Sequence, residues 1–274
     1  MIDIPRPATC ASVPPGRVVV GAYLRGLRES RGLYLKEAAY RLDYAMSSVS
    51  LMERAEVPLR PVVVERLLQE YGVREPQEIR AVSMLLEPDG QHLDLHSARA
   101  RDRLASCWRA ADTVRMYVQR WLPPAVHTTA YARAYADVHS MDVRGPSGGI
   151  RFPEPGAHSS LTLLIDEDIL CRPVGGEHAM AGQLARLQDL ILEGILVVRV
   201  VPLDTPIPYI PTPVTQLDPY GYRLDVETSG AGMRYSTGRG FGAALDGVEE
   251  AAYALAAGYD RLEAARAMFA GGRS

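Results

Sequence analysis

The stretch that decides the fold is AYRLDYAMSSVSLMERAEVPLRPVVVERLLQEYG, residues 39–72. Ala39 and Leu42 close one short amphipathic helix, and Val49 and Met52 repeat the spacing in the next. Only Ala45 and Met46 separate the second helix, LYLKEAAYRLDY, from the third, SSVSLMERA, so the two are joined by a tight turn. Pro61 then opens a further helix at its first turn, and Gly72 stands just past its end, which is where each residue type is favoured. Working outward, VVVGAYLRGLRESRG (residues 18–32) sets Val20, Leu24 and Leu27 on one stripe and stops at Gly32. LYLKEAAYRLDY (33–44) turns Ala38, Ala39 and Leu42 inward. Four or five short helices joined by tight turns predict a small bundle.

The C-terminal half has a different rhythm. SSLTLLIDEDIL (159–170) reads as a strand entering a turn, and GEHAMAGQLARLQDLILEG (176–194) as an amphipathic helix closed by Gly194. ILVVRVVPL (195–203) is a buried strand. YGYRLDVET (220–228) and AGMRYSTG (231–238) form a candidate strand pair. Residues 205–218 read as extended and proline-rich, 96–120 as one helix joining the bundle to the C-terminal half, and 247–270 as one long closing helix. The Gly/Pro-rich run 141–158 is a loop and a candidate lid. The expected fold class is α+β, mainly helical: an N-terminal helix-turn-helix bundle followed by an α/β C-terminal domain with a small sheet. Expected boundaries are an arm at 1–17, the bundle at 18–75, connecting helices at 76–120 and the α/β domain at 121–274.

Of the 274 residues 47% are apolar, enough for a substantial core, and the net charge is −3. No overall basic field draws the chain to nucleic acid. No apolar run is long enough to span a bilayer, and no signal peptide is visible. Three scattered cysteines (Cys10, Cys107, Cys171) form neither a disulfide framework nor a ligand pair, which points to the cytosol. Cys107 and Cys171 are expected to be small buried hydrophobes. Lys36 is the sole lysine, and the Arg, Ala, Gly and Pro usage fits a high-GC bacterial genome.

Residues 18–73 resemble the Xre/Cro-like helix-turn-helix domain, with Gly32, Leu33, Glu37, Ala39, Leu42, Val49, Ser50 and Glu53 matching its pattern. The rest resembles the long C-terminal domain of unknown function joined to such units in many actinobacterial regulators. Its marks here are LPPAVHTTAYARAY (122–135), LLIDEDILCRPVGGEHAMAGQLARL (163–187) and ILVVRVVPL. The resemblance implies a cytosolic, often dimeric, DNA-binding regulator whose C-terminal domain senses a ligand or partner. The departures fall on contact positions. Tyr34 and Leu35 stand where Thr-Gln is usual, Ala45 replaces the capping Ser, Ser48 replaces Lys, and Leu51 replaces Arg. Ser47, Ser48, Ser50 and Arg54 remain as DNA-contact candidates. Residues 1–75 carry eleven basic and nine acidic groups, net +2, little for several phosphates. Tyr34, Leu35, Met46 and Leu51 are expected to form an apolar surface, which could serve a homodimer. His127 and Pro124 stand where the resembled domain has Gln and Gly.

Two functional readings are open, with a pure interaction module as a third. In the first, the bundle is a relic and the C-terminal domain binds an apolar small molecule. It would act as a cofactor-independent cyclase, cycloaddition or isomerisation enzyme of bacterial specialised metabolism. Dinucleotide, P-loop, zinc-protease and nucleophile-elbow motifs are all absent, so neither cofactor nor metal is expected. Its catalytic candidates are His127, Tyr209, Gln216 and Tyr222, residues able to orient a carbonyl or move a proton. Its substrate-binding candidates are Trp121, Tyr131, Tyr220, Met233 and Tyr235. Asp166, Glu167 and Asp168 read as a solvated turn braced by Arg172. In the second reading the chain is a DNA-binding transcriptional regulator with a ligand-sensing C-terminal domain. DNA is a partner only there; a membrane is a partner in neither.

Overall fold

A computed structural model describes residues 13–87, 93–95, 99–138, 160–210, 213–229, 232–237 and 241–271. The expected 141–158 loop and the first twelve residues lie outside them.

The bundle forms as the periodicity requires: α1 (Pro15–Ser30), α2 (Leu35–Leu42), α3 (Met46–Glu53), α4 (Pro61–Glu70) and α5 (Pro76–Leu85). Helix α1 starts inside the expected arm, because Pro15 supplies a preset φ at the first turn. It is buried nearly all round, Val18, Val19 and Val20 as much as Leu24 and Leu27. One stripe faces the bundle. The other faces α6 (Ala100–Ala110) and strand β7 (Gly232–Ser236).

The helix expected to run on to residue 120 stops at Ala110, and β2 (Ala111–Val118) begins at the next residue. Thr113, Val114, Tyr117 and Val118 favour a pleated surface over a helix, and Ala111 already has extended geometry (φ −88°, ψ 138°). The sheet is larger than expected. Strands β1 (Leu93–Leu95), β2, β3 (Ser160–Asp166), β4 (Leu196–Val201), β5 (Val214–Pro219), β6 (Leu224–Ser229) and β7 form one seven-stranded sheet, ordered β1-β7-β6-β5-β2-β3-β4. β2, β3 and β4 run parallel and the remaining pairings are antiparallel. The expected β6–β7 pairing is present. A single 3₁₀ turn (Pro124–Val126), α7 (Thr129–Val138), short α8 (Glu167–Cys171) and α9 (Glu177–Leu192) follow β2 and β3.

The closing helix is two helices, α10 (Gly242–Ala251) and α11 (Leu255–Ala270). The break lets the Tyr253 N–H donate to Val200 O at 2.9 Å, pairing the open edge of β4.

Register sorts the side chains by face. Val114, Leu163, Val198 and Leu217 join the large core that runs into α1, α9 and α11. Tyr117, Leu164 and Val214 face the other way, under Leu245 and Val248 of α10. The large core runs from Val19 to Phe269 without interruption, so bundle and sheet share it.

Candidate nucleic-acid interface

Helices α2 and α3 meet across Asp43–Ala45. Asp43 takes the left-handed conformation (φ 57°, ψ 43°) that ends α2, which Asp tolerates better than most residues. Tyr44 N–H donates to Ala39 O at 3.0 Å and closes the turn. At the start of α2 the Glu37 carboxylate accepts the Tyr34 N–H at 2.8 Å, half of a capping box. Ala45 provides no side-chain cap for α3.

The rear of α3 is locked. Val49 and Met52 are buried, and the Glu53 carboxylate takes both Nε and a terminal nitrogen of Arg28, at 2.7 and 2.8 Å. Arg28 also donates to Leu33 O at 2.9 Å, so one α1 guanidinium holds both the end of α3 and the lead into α2. Hydrogen bonding and charge from Glu53 hold the Arg28 pKa above its ordinary value against burial. Gly21 of α1 lies against the last turn of α3: a Cβ there would stand 2.7 Å from Glu53 O and 2.9 Å from Met52 O.

The front of α3 is open. Ser47, Ser50, Leu51 and Arg54 recur at helical spacing on the face opposite Val49 and Met52. Ser47 is exposed; Ser48, Ser50, Leu51 and Arg54 are half-buried. Arg54 pairs with Glu56 at 2.6 Å. Lys36, Arg41 and Arg60 are exposed nearby in sequence. The apolar surface expected there is smaller than Tyr34, Leu35, Met46 and Leu51 would make it. Tyr34 and Met46 are exposed, but Leu35 packs on the core and Leu51 is half-buried. Tyr40 is 88% exposed, and reading the motif alone misses it.

The enzyme reading's residues fall into separate places. Trp121, His127 and Tyr131 do come together, with Tyr135: His127 lies 4.7 Å from the Tyr131 ring and 5.3 Å from the Tyr135 ring, and Trp121 packs edge-on to Tyr135 at 5.7 Å. The cluster supports the backbone. His127 Nε2 bonds Leu122 O at 2.7 Å, which makes that nitrogen the N–H donor, and Tyr131 Oη accepts Leu122 N–H at 3.3 Å. Burial lowers the His127 pKa. Gln183, fully buried, donates to Val126 O and accepts Thr128 N–H. Gln216 lies on the α10 face of the sheet, donating to Asp225 and accepting from Arg115. Met233 and Tyr235 lie on the opposite face, where the Tyr235 hydroxyl reaches Asp94 at 3.5 Å. Tyr209 is 88% exposed and Tyr222 half-buried. The sheet itself therefore separates Gln216 from Met233 and Tyr235. Tyr220 packs against α1, with Arg25 stacked 5.9 Å from its ring.

Around the expected acidic turn, Arg172 pairs with Asp168 as read, while Asp166 accepts the Tyr117 hydroxyl at 2.8 Å and burial raises its pKa. Cys107 is buried as expected; Cys171 is exposed, because it sits on the outer side of α8. Among the described residues no His, Cys, Asp or Glu group could hold a metal, and no helix is long and apolar enough to cross a membrane.

A second buried ionic group was also illegible. Arg103 of α6 is fully buried, grips Asp94 of β1 with two bonds of 2.6 and 2.7 Å, and reaches Glu78 of α5 at 3.2 Å. The Tyr23 ring of α1 lies 5.5 Å from it. Arg103 and Asp94 belong to elements whose meeting no local spacing encodes.

A tightly turned α2–α3 pair, locked behind and open in front, defines a helix-turn-helix protein. Residues 19–82 match the model of a helix-turn-helix domain, and residues 101–256 match that of a domain of unknown function, DUF5753. The second match spans more than half of the chain, which therefore belongs to the DUF5753 family. No curated protein and no solved structure matches the chain.

Proposed function

We propose that the protein is a cytosolic DNA-binding regulator whose DUF5753 domain supplies the input. One observation carries the reading: the Ser47–Ser50–Arg54 face of α3 is open, while the opposite face is fixed by the Arg28–Glu53 pair and the Gly21 contact. Such bracing holds a reading helix at a set angle, which is what groove insertion requires. Ser48 and Leu51 replace the long cationic donors of the resembled motif. Recognition then leans on phosphate contacts and duplex shape more than on base-edge bonds. The cyclase reading has less support, since its candidates lie apart: the sheet separates Gln216 from Met233 and Tyr235, and Tyr209 stands exposed.

The test is enrichment of a random duplex library by the full chain, followed by anisotropy titration of the winner at several salt concentrations. Lys36, Arg41, Arg54 and Arg60 give about four phosphate contacts per bundle, so the slope of log K against log salt is expected near −3 to −4. One enriched motif with that slope supports the reading. No binding at low salt overturns it.

A further inference from the structure

The ends of three bundle helices gather arginines at one place. Arg41 stands in the last turn of α2, Arg31 directly after α1, and Arg74 shortly after α4. Arg41 and Arg74 line a cleft of about 510 Å³ together with Gln69 and Glu70, a volume within the range of small-molecule sites. Arg31 lies over Gly72, where a Cβ would stand 2.6 Å from its guanidinium, and so reaches the same stretch of chain. These side chains are all exposed. Arg25, Arg28 and Arg54 of the same bundle each hold a carboxylate, Glu29, Glu53 and Glu56 respectively, at 2.7, 2.7 and 2.6 Å. The guanidinium groups of Arg31, Arg41 and Arg74 make no hydrogen bond or ion pair with any described residue, and neither does the Glu70 carboxylate.

A cation near a helix C-terminus stabilises that helix. That accounts for each arginine by itself and not for their meeting. Like charges around one cleft repel one another until a counter-ion joins them. Three arginines against one glutamate leave a surplus of two positive charges. A phosphate monoester, which carries close to two negative charges at neutral pH, balances that surplus. A phosphodiester carries one and does not. Guanidinium forks also match phosphate oxygens in pairs, and the Glu70 carboxylate can accept a hydroxyl of the group to which the phosphate is attached. We infer that the cleft binds a small phosphate monoester, held by Arg31, Arg41 and Arg74. One bound dianion ties the ends of α1, α2 and α4 together. The site stands without the regulator reading. Its competition with DNA rests on that reading, because Arg41 is also one of the four duplex contacts counted above.

The experiment uses the full chain without DNA, with phenyl phosphate as the monoester probe and dimethyl phosphate as the diester. Calorimetry in about 20 mM salt, where exposed charges are little screened, gives the affinities. NMR of the arginine Nε–H groups gives the place. Phenyl phosphate is expected to bind with a dissociation constant below about 1 mM, and dimethyl phosphate about tenfold more weakly, the effect of losing one charge-assisted bond. Arg41→Gln and Arg74→Gln break no bond within the chain, so the fold persists, and each should weaken phenyl phosphate about tenfold. Arg186→Gln removes the same charge from an exposed position on α9 and should change nothing. Absence of phenyl phosphate binding at about 10 mM (weaker than any useful ligand) overturns the site. So does dimethyl phosphate binding equally well, or Arg186→Gln weakening binding as much as Arg74→Gln, since either would mean general attraction of anions. If DNA binds, saturating phenyl phosphate should weaken it about eightfold near 0.1 M salt, the worth of one phosphate contact, and dimethyl phosphate at equal ionic strength should not. An unchanged DNA affinity overturns the competition alone, and absence of DNA binding removes the regulator reading without touching the site.

Discussion

Gly21→Ala asks whether α3 is held as closely as the geometry states. The added methyl would stand 2.7 Å from Glu53 O, about 0.7 Å short of the 3.4 Å where ordinary contact begins, with Met52 O at 2.9 Å. Both opposing atoms are backbone, so the last turn of α3 must move, and Glu53 with it. Overpacking of this kind costs about 1–3 kcal/mol. Helix propensity works the other way, since Ala in place of a mid-helix Gly gains about 0.5–1 kcal/mol. The net expectation is a loss of about 1–2 kcal/mol, or roughly 2–4 °C in melting temperature for a chain of this size. Gly182 in α9 provides the matched control, because a Cβ there meets nothing within 4 Å. Gly182→Ala should show the propensity gain alone. Urea denaturation followed by circular dichroism measures both variants on one scale. If Gly21→Ala gains stability as Gly182→Ala does, α1 and α3 are not in close contact and the bracing argument collapses.

Arg28→Met strands the buried Glu53 carboxylate and should cost about 3–5 kcal/mol, whereas pairing it with Glu53→Met should restore most of the loss; a double variant as unstable as the single would deny the pair its place. The His127 pKa is depressed by burial, so the unfolded chain binds the extra proton. Its contribution is complete above the unfolded value near 6.5 and fades as pH falls through the lower folded value. An NMR titration of the His127 ring should show a midpoint below 6.5, and one at or above it would contradict the packing. Iodoacetamide mapped by mass spectrometry should label exposed Cys171 in the native protein and buried Cys107, whose thiol burial pushes far up, only after unfolding. Early labelling of Cys107 would mean that α6 opens readily.

The bundle was legible because its helices are short, amphipathic and punctuated by Pro61, Gly32 and Gly72, all local signals. β3, α9 and β4 were legible for the same reason. The misreadings came from segments whose form depends on distant partners. Residues 111–118 are amphipathic enough for a helix, yet they become an interior strand of the sheet because β3 and β5 supply partners on both sides. The closing helix breaks where Tyr253 meets β4, a contact fifty residues away in sequence. The site was harder still. Ser47, Ser50 and Arg54 could be placed on one face from spacing. The residues that brace that face, Arg28 and Gly21, lie a helix away and carry no signature. The left-handed backbone of Tyr220 was invisible in the letters.

Helix α1 is packed on two sides, against the bundle and against α6 and β7, and this governs how the molecule comes apart. In a modular regulator a linker can be cut and each half survives. Here a protein ended near residue 87 would expose the α1 stripe that covers α6 and β7, and the sheet would lose the wall that α1 provides. Bundle and sheet should therefore melt in a single transition. Stress that loosens one should release the other, so loss of the C-terminal half removes the bundle as well, and neither half outlasts the other as a folded fragment.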